Sequence, residues 1–221
     1  MQQTESMKKL KVIISGGGTG GHIFPALAIA KALEKKVDKV EFLFVGAEDR
    51  MEMEKIPAEG YKIVGLWISG LQRNFSRRNL LFPFKVVSSL LKARKTIKQF
   101  KPDLAIGTGG YASGPLLFAA ANNGVPSLIQ EQNSYPGITN KILAKYVQKV
   151  CVAYDNMERF FGNEKLIITG NPIREDILSF DTKVEEGRKL FGVDVSKPTV
   201  LVVGGSLGAR TINNAIAENI A

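Results

Sequence analysis

Short apolar segments alternate along the chain with longer segments in which apolar residues recur every three or four positions. The short segments are rich in Val and Ile and apolar on both faces, which is typical of buried parallel strands. They predict strands at Lys11–Ser15, Val40–Gly46, Tyr61–Ile68, Leu104–Thr108, Ser127–Gln130, Val150–Ala153 and Leu166–Thr169. The longer segments predict helices, among them Phe24–Lys36 and Ser113–Asn123, the second ending before Gly124. This alternation predicts an α/β domain with a doubly wound parallel sheet.

The pattern changes after Asn171-Pro172, where a polar connector contains a short predicted helix at Val184–Phe191. A strand in "PTVLVV", a glycine turn and a further helix follow. We therefore predict a Rossmann-like domain over residues 1–170, a linker over 171–197 and the first strand–helix unit of a second Rossmann-like domain over 198–221. One such unit cannot bury both faces of its strand, so we expect a fragment of a longer, two-domain protein.

Composition narrows the class of protein. The net charge of +9 indicates an anionic partner. The single cysteine, Cys151, lies in the apolar segment "KVCVAY", which favours a buried, reduced thiol over a reactive one. The polar start "MQQTESMKKLK" and the absence of a long apolar run predict a soluble chain without signal peptide or membrane span.

The first strand leads into the glycine-rich segment "SGGGTGGHIFP", which contains His22, the only histidine of the chain. Gly16, Gly18 and Gly21 have the spacing G-x-G-x-x-G, which places backbone N–H groups at a helix N-terminus where they bind a diphosphate. The spacing leaves three alternatives open. These are the dinucleotide site of an oxidoreductase, with an acidic residue after the second strand (Glu48 or Asp49) binding the ribose, a site for another phosphate ligand, and a tight turn without ligand.

Two further segments, "TGGYASGP" and "EQNSYPGITNK", follow other predicted strands. Because the carboxyl ends of parallel strands meet at one crevice, we expect Thr19, His22, the turn Gly109–Gly110, Glu131 and Asn133 to share a cleft. Its amides, hydroxyls and N–H groups suit a sugar diphosphate better than a flat nicotinamide.

The motifs "GGTGGHIFPALAIA", "TGGYASGP", "EQNSYPGITNK", "TGNPIR" and "GGSLGAR" occur in this order, and together they resemble the bacterial N-acetylglucosaminyltransferases of peptidoglycan synthesis. The resemblance implies a GT-B architecture, with an N-terminal acceptor domain and a C-terminal donor domain. It also implies inverting transfer of N-acetylglucosamine from UDP-N-acetylglucosamine to undecaprenyl-diphosphate-linked N-acetylmuramoyl-pentapeptide (lipid I), which forms lipid II without cofactor or metal. As a fragment, the chain alone is expected to be inactive.

The same resemblance implies roles for individual residues. The donor contacts are Thr19, Gly20, Gly21, Asn133, Arg174 and Ser206, and the acceptor loop contains Gly109, Gly110, Tyr111 and Ser113. His22 and Glu131 are alternative general bases, and each has a simpler alternative role in positioning the loop or substrate. Arg174 is alternatively a solvated linker residue, and Ser206 a helix N-cap. The sequence departs from the family at Gln130, where many members have histidine, and at Leu207, where many have glutamine.

Between Gly60 and Pro102 the chain has ten Lys or Arg residues and no Asp or Glu. The residues expected at an anionic inner membrane leaflet are Phe75, Arg77, Arg78, Leu80, Leu81, Phe82 and Phe84, followed by a helix with Val87, Leu90, Leu91 and Ile97 towards one side. The alternatives are a solvated charged face over core residues and a nucleic-acid surface, but no nucleic-acid recognition motif accompanies the patch, so no nucleic acid is expected. We expect a peripheral protein on the cytoplasmic side of the cell membrane; an oxidoreductase and a non-catalytic lipid- or sugar-binding module remain the alternatives.

Overall fold

The structure is a computed structural model that describes residues 9–70, 80–174, 177, 184–194, 196–205 and 208–219. The chain divides into two compact units, residues 1–174 and 175–221. In the described ranges the strands are β1 Leu10–Gly16, β2 Val40–Ala47, β3 Ile63–Leu66, β4 Leu104–Gly109, β5 Ser127–Glu131, β6 Lys149–Val152 and β7 Leu166–Ile168. The helices are α1 Gly20–Lys36, α2 Glu52–Ala58, α3 Phe82–Phe100, α4 Ser113–Asn122, α5 Ile138–Leu143, α6 Glu158–Phe161, α7 Val184–Phe191 and α8 Arg210–Asn219.

The seven strands form one sheet in the order β3-β2-β1-β4-β5-β6-β7, and every neighbouring pair is parallel. Helices cover both faces, because successive strand side chains point to opposite sides. Val12 and Ile14 of β1 pack with α1 and α2, whereas Ile13 packs with α3, α4 and α5. The predicted doubly wound sheet is confirmed.

The order of the strands reverses at β1, which lies between β2 and β4. The chain places β2 and β3 on one side of β1 and continues on the other side from β4 onwards. The carboxyl ends of β1 and β4 therefore flank the topological switch point, where open α/β sheets bind their ligands. A register shift between Ser15 and Gly16 bends β1 just before its glycine loop.

Two helices differ from their predictions in informative ways. Helix α1 begins at Gly20 and not at Phe24, so Pro25 lies inside the helix and lacks the N–H that would donate to the carbonyl oxygen of Gly21. Helix α3 divides its apolar side chains: Ile97 is buried and Leu90 half-buried, whereas Val87 and Leu91 are exposed. The apolar side of α3 is thus only partly core.

The unit 175–221 contains α7, as predicted, and α8. The predicted strand in residues 198–203 is wrong, because residues 198–205 form no strand and Val200, Leu201 and Val203 are exposed. A strand needs a neighbour for its N–H and C=O groups, and the described residues of this unit supply none. Over the described ranges, no helix combines the length and apolarity needed to cross a bilayer.

Candidate active site

A polar cleft of about 470 Å³ lies at the carboxyl ends of β1, β4 and β5. The segments that follow these three strands form its walls. Among its lining residues are the predicted Thr19, His22, Gly109, Gly110, Tyr111, Glu131 and Asn133. The expectation that these residues share one cleft is confirmed.

The two glycine loops pack backbone against backbone at the base of the cleft. The N–H of Gly17 donates to the carbonyl oxygen of Gly109 at 3.3 Å. Gly110 has φ of +88°, and a Cβ there would lie 2.3 Å from the carbonyl oxygen of Gly17. Only glycine permits this approach, so loop packing by itself requires glycine at position 110.

Glu52, the first residue of α2, holds the first glycine loop from the other side. Its carboxylate is fully buried and accepts hydrogen bonds from the N–H of Gly18 at 2.9 Å and the N–H of Ala47 at 3.0 Å. The N–H of Gly18 is therefore not available to a phosphate. Sequence reasoning missed Glu52; the signal that points to it is an acidic residue in the first turn of the helix after β2.

The two acidic residues expected to bind a ribose, Glu48 and Asp49, are not among the residues that line the cleft. Glu48 pairs with Lys92 at 2.9 Å, and Asp49 is exposed with φ of +58°. With Glu52 already bonded to the glycine loop, the geometry disfavours the dinucleotide interpretation.

His22 lies in the first turn of α1 and lines the cleft. The hydroxyl of Thr108 donates to the carbonyl oxygen of His22 at 2.7 Å. The ring packs against Gly109, where a Cβ would lie 2.6 Å from Nδ1. Nδ1 itself is 3.1 Å from Oε1 of Gln132, a residue that sequence reasoning did not select. The imidazole is thus held through both its main chain and its ring.

Glu131 ends β5 and is 1% exposed. Its Oε1 accepts hydrogen bonds from the main-chain N–H and the side-chain amide of Asn133, at 3.0 and 2.9 Å. Its Oε2 accepts from the N–H of Gly137 at 3.1 Å and from the amide of Asn140 at 2.9 Å. Four donors from residues 133–140 occupy both oxygens, so the carboxylate orders this loop.

The remaining predicted residues differ in exposure and in whether they line the cleft. Thr19, the N-cap of α1, lines the cleft, whereas Gly20 and Gly21 are not among the lining residues. All three lie at the helix N-terminus, where the first N–H groups lack intrahelical acceptors. Tyr111 is 47% exposed at the cleft wall. Ser113 is fully buried and donates to the carbonyl oxygens of Ser15 and Gly109. Ser113 therefore stabilises the loop that follows β4 and does not line the cleft.

One of the predicted donor contacts, Arg174, is not among the residues that line the cleft. The guanidinium of Arg174, which is half-buried, lies 4.8 Å from the centre of the Phe24 ring. Arg174 is the last residue of the first compact unit. Its donor contact and its alternative role as a solvated linker residue both stay predictions. Ser206 lies outside the described residues.

The predicted membrane patch is described only in part, since Phe75, Arg77 and Arg78 lie outside the described residues. Apolar residues at spacings of four, three and four form an exposed stripe on one side of α3 and the turn before it, and we call it the α3 stripe. The α3 stripe consists of Leu80, Phe84, Val87 and Leu91, with exposures between 56% and 74%. Leu81 is also exposed, at 48%. Phe82 is half-buried, and its expected membrane contact stays a prediction.

Phe82 lines a second, apolar cavity of about 340 Å³ between α3, α4 and α5. Val86, Leu90 and Phe118 contribute to its walls. Tyr111 and Thr139 line both this cavity and the polar cleft. An apolar space thus adjoins a polar one. Over the described part of the chain, no three His, Cys, Asp or Glu side chains are grouped closely enough to hold a metal ion.

A doubly wound parallel sheet with a glycine-walled polar cleft at its switch point is compatible with the N-terminal half of a GT-B glycosyltransferase. The model for the glycosyltransferase family 28 N-terminal domain matches residues 12–152, more than half of the chain. The chain belongs to this family.

Curated relatives match nearly the whole chain. It is 59% identical, over 97% of its length, to the UDP-N-acetylglucosamine--N-acetylmuramyl-(pentapeptide) pyrophosphoryl-undecaprenol N-acetylglucosamine transferase of Parabacteroides distasonis. It is 54% identical, over 100% of its length, to the transferase of the same name of Porphyromonas gingivalis. The chain spans 58% of the length of each of these two relatives.

Solved structures agree with this assignment. The crystal structure of Acinetobacter baumannii MurG is 33% identical with a TM-score of 0.69, covering 93% of this chain and 55% of that one. The UDP-GlcNAc 2-epimerase of Neisseria meningitidis, at 16% identity and a TM-score of 0.63, covers 95% of this chain and 61% of that one and shares the fold.

Proposed function

We propose that this chain is the acceptor-binding half of an inverting transferase. The enzyme moves N-acetylglucosamine from UDP-N-acetylglucosamine to N-acetylmuramyl-(pentapeptide) pyrophosphoryl-undecaprenol. The observation that carries the proposal is the polar cleft at the switch point, lined by Thr19, His22 and Asn133, in a chain 59% identical to a transferase named for this reaction. The apolar cavity beside the cleft supports a lipid-linked acceptor.

The proposed division of roles follows from charge and exposure. The N-terminus of α1, at Thr19, Gly20 and Gly21, is electropositive through the helix dipole and suits a diphosphate. Asn133, Arg174 and Ser206 are proposed to contact the donor. The acceptor sugar is proposed to lie against Gly109, Gly110 and Tyr111.

We infer that His22 takes the proton from the attacking hydroxyl. An inverting transfer needs a base near that hydroxyl, and a carboxylate occupied by four donors is a poor one. The carboxylate of Glu131 accepts four such hydrogen bonds and is only 1% exposed. Glu131 is therefore proposed to position the loop that carries Asn133.

We further propose that the α3 stripe docks on the anionic cytoplasmic leaflet as a peripheral contact. The face of α3 that carries the stripe continues with Lys95 and Lys98, both exposed, at spacings of four and three. Apolar side chains enter the headgroup boundary, and cations beside them gain about 1 kcal/mol each at an anionic surface.

A chimera tests the proposed reaction. Residues 1–221 of this chain are continued by the part of the Parabacteroides distasonis relative that follows its matched region, and UDP release is measured with a diphosphate-linked muramoyl-pentapeptide acceptor. We expect acceptor-dependent release that falls by ~10²–10⁴-fold in His22→Ala. A chimera that melts cooperatively, is stabilised by NAD(P) and not by UDP-N-acetylglucosamine, and releases no UDP refutes the proposal.

Co-sedimentation of the chain with phosphatidylglycerol vesicles tests the membrane contact. We expect binding that weakens from 0.1 to 1 M salt, since the Debye length falls from ~10 to ~3 Å. Leu91→Ser should weaken it further. Leu190→Ser, at another exposed leucine of a helix in the second unit, is the matched control. Equal binding of the two variants to the vesicles argues against membrane docking through the α3 stripe.

A further inference from the structure

The side chain of Gln132 is a polar partner of the His22 ring. Its Oε1 lies 3.1 Å from Nδ1 of His22. Its Nε2 lies 2.8 Å from the carbonyl oxygen of Thr108 and 3.2 Å from the carbonyl oxygen of Gln130. Gln132 thus connects the end of β4, the end of β5 and the start of α1.

These contacts fix which way the Gln132 amide points. A main-chain carbonyl oxygen only accepts hydrogen bonds, so the Gln132 atom that faces two of them must be the amide nitrogen. The oxygen of the amide consequently faces the imidazole. An amide oxygen is also only an acceptor, and Nδ1 of His22 must therefore carry the proton of this hydrogen bond.

We propose that Gln132 is a positioning residue that holds the neutral His22 ring in the Nδ1–H tautomer. With the proton on Nδ1, the lone pair lies on Nε2, the nitrogen left to the cleft. A hydrogen bond to one ring nitrogen sets the tautomer and so decides which nitrogen can take a proton. The catalytic role of this tautomer rests on the proposed function. The assignment of the tautomer itself rests only on the hydrogen bonds of Gln132.

Thr108 makes the arrangement rigid, because it binds both partners. Its carbonyl oxygen accepts from Gln132, and its hydroxyl donates to the carbonyl oxygen of His22. The Cα of Gly109 closes the space beside the ring, where a Cβ would lie 2.6 Å from Nδ1. The ring therefore cannot turn away from Gln132 without disturbing the β4 loop.

The sole histidine of the chain makes the tautomer directly measurable. The chain is labelled with ¹⁵N-histidine, purified through a tag without histidine, and followed by long-range ¹H–¹⁵N correlation spectra over a pH series up to the neutral plateau. We expect a protonated, pyrrole-type Nδ1 and a pyridine-type Nε2 in the wild type. A wild-type ring protonated on Nε2, or an even mixture, overturns the proposal.

Substitutions of Gln132 sharpen the test. Gln132→Leu removes the acceptor, so the ring should move towards the Nε2–H form that free imidazole side chains prefer in water. Gln132→Glu keeps an acceptor for Nδ1 and should retain Nδ1–H, while it loses the hydrogen bonds that Nε2 donates to the carbonyl oxygens of Thr108 and Gln130. Gln99→Leu, the same change at an exposed position of α3, is the matched control and should leave the spectrum unchanged. A folded Gln132→Leu chain with an unchanged tautomer also overturns the proposal, and if this variant does not fold, the wild-type and Gln132→Glu spectra still decide.

Kinetics of the chimera separate this inference from the proposed function. Gln132→Leu should lower kcat by about 10–100-fold, as loss of an outer hydrogen-bond partner does, with little change in KM for either substrate. Gln132→Glu should restore part of kcat. A chimera without activity refutes the transferase proposal, while the tautomer measurement still stands on its own. Wild-type kcat in Gln132→Leu refutes the positioning role.

Discussion

Replacing Glu131 by glutamine separates a folding role from a catalytic role for this carboxylate. The change is nearly isosteric and removes only the charge and one acceptor atom. If the carboxylate orders the loop over residues 133–140, as its four hydrogen bonds indicate, the loss should be visible in the free energy of unfolding.

The magnitude follows from the four donors. A glutamine amide nitrogen in place of Oε2 faces the N–H of Gly137 and the amide of Asn140. Asn140 can rotate to present its Oδ1, which has no hydrogen-bond partner among the described residues. About one buried donor then stays unpaired, at ~1–3 kcal/mol, and the other bonds lose their charge assistance, at about 1 kcal/mol. We expect a loss of about 3 kcal/mol, which lowers Tm by about 6–12 °C in a chain of this size.

Thermal and urea unfolding of the chain measure this loss. Glu164→Gln, the same substitution at an exposed position, is the control and should change stability by less than about 0.5 kcal/mol. His22→Ala should cost about 1 kcal/mol, since it leaves only the Gln132 oxygen unpaired. If Glu131→Gln unfolds like the control and yet abolishes turnover in the chimera, the carboxylate acts on substrate and the assignment of the base to His22 is wrong.

Three further changes probe the loops and the thiol. Gly110→Ala should destabilise the chain by about 2 kcal/mol or more in urea unfolding, since its Cβ would meet the Gly17 carbonyl oxygen; wild-type stability contradicts the loop packing. Glu52→Gln should cost about 1–3 kcal/mol and speed amide exchange at Gly18, and unchanged exchange contradicts the buried hydrogen bond. Burial raises the pKa of the Cys151 thiol, so less thiolate is present at pH 8, and iodoacetamide should react more slowly with the native chain than with the urea-unfolded chain; equal rates contradict this reasoning.

The sequence pattern predicts the sheet well because the strands are buried on both faces. Continuous Val- and Ile-rich segments separated by helical periodicity leave few architectures, and the glycine loops mark the strand ends that meet at the switch point. The same reasoning is wrong at residues 198–203, where an apolar segment forms no strand. Strand formation depends on a hydrogen-bonding neighbour, which a local pattern does not reveal.

The partners of polar residues at the strand ends are harder to predict. Glu131 and Gln132 are adjacent in sequence, yet the first bonds to residues 133–140 and the second to Thr108 and His22. Successive side chains leave a strand on opposite sides, so the pattern indicates that both are near the cleft but not what each contacts. Glu52 is similar, because its bond to Gly18 joins residues 34 positions apart.

Most polar groups at the base of the cleft are bonded to protein atoms, and this restricts which groups can act on a ligand. The carboxylates of Glu52 and Glu131 both accept main-chain N–H groups of the cleft loops. The negative charge of both carboxylates is therefore compensated by protein N–H groups, and the carboxylates repel an anionic diphosphate less strongly. The N-terminus of α1 and Nε2 of His22 then remain for the ligand. In the proposed function, the first attracts a diphosphate through the helix dipole and the second accepts a proton. Because the Gln132 and Thr108 contacts that hold His22 come from β5 and β4, the basic nitrogen is placed by the sheet itself, and rigid support of this kind is what precise proton transfer requires.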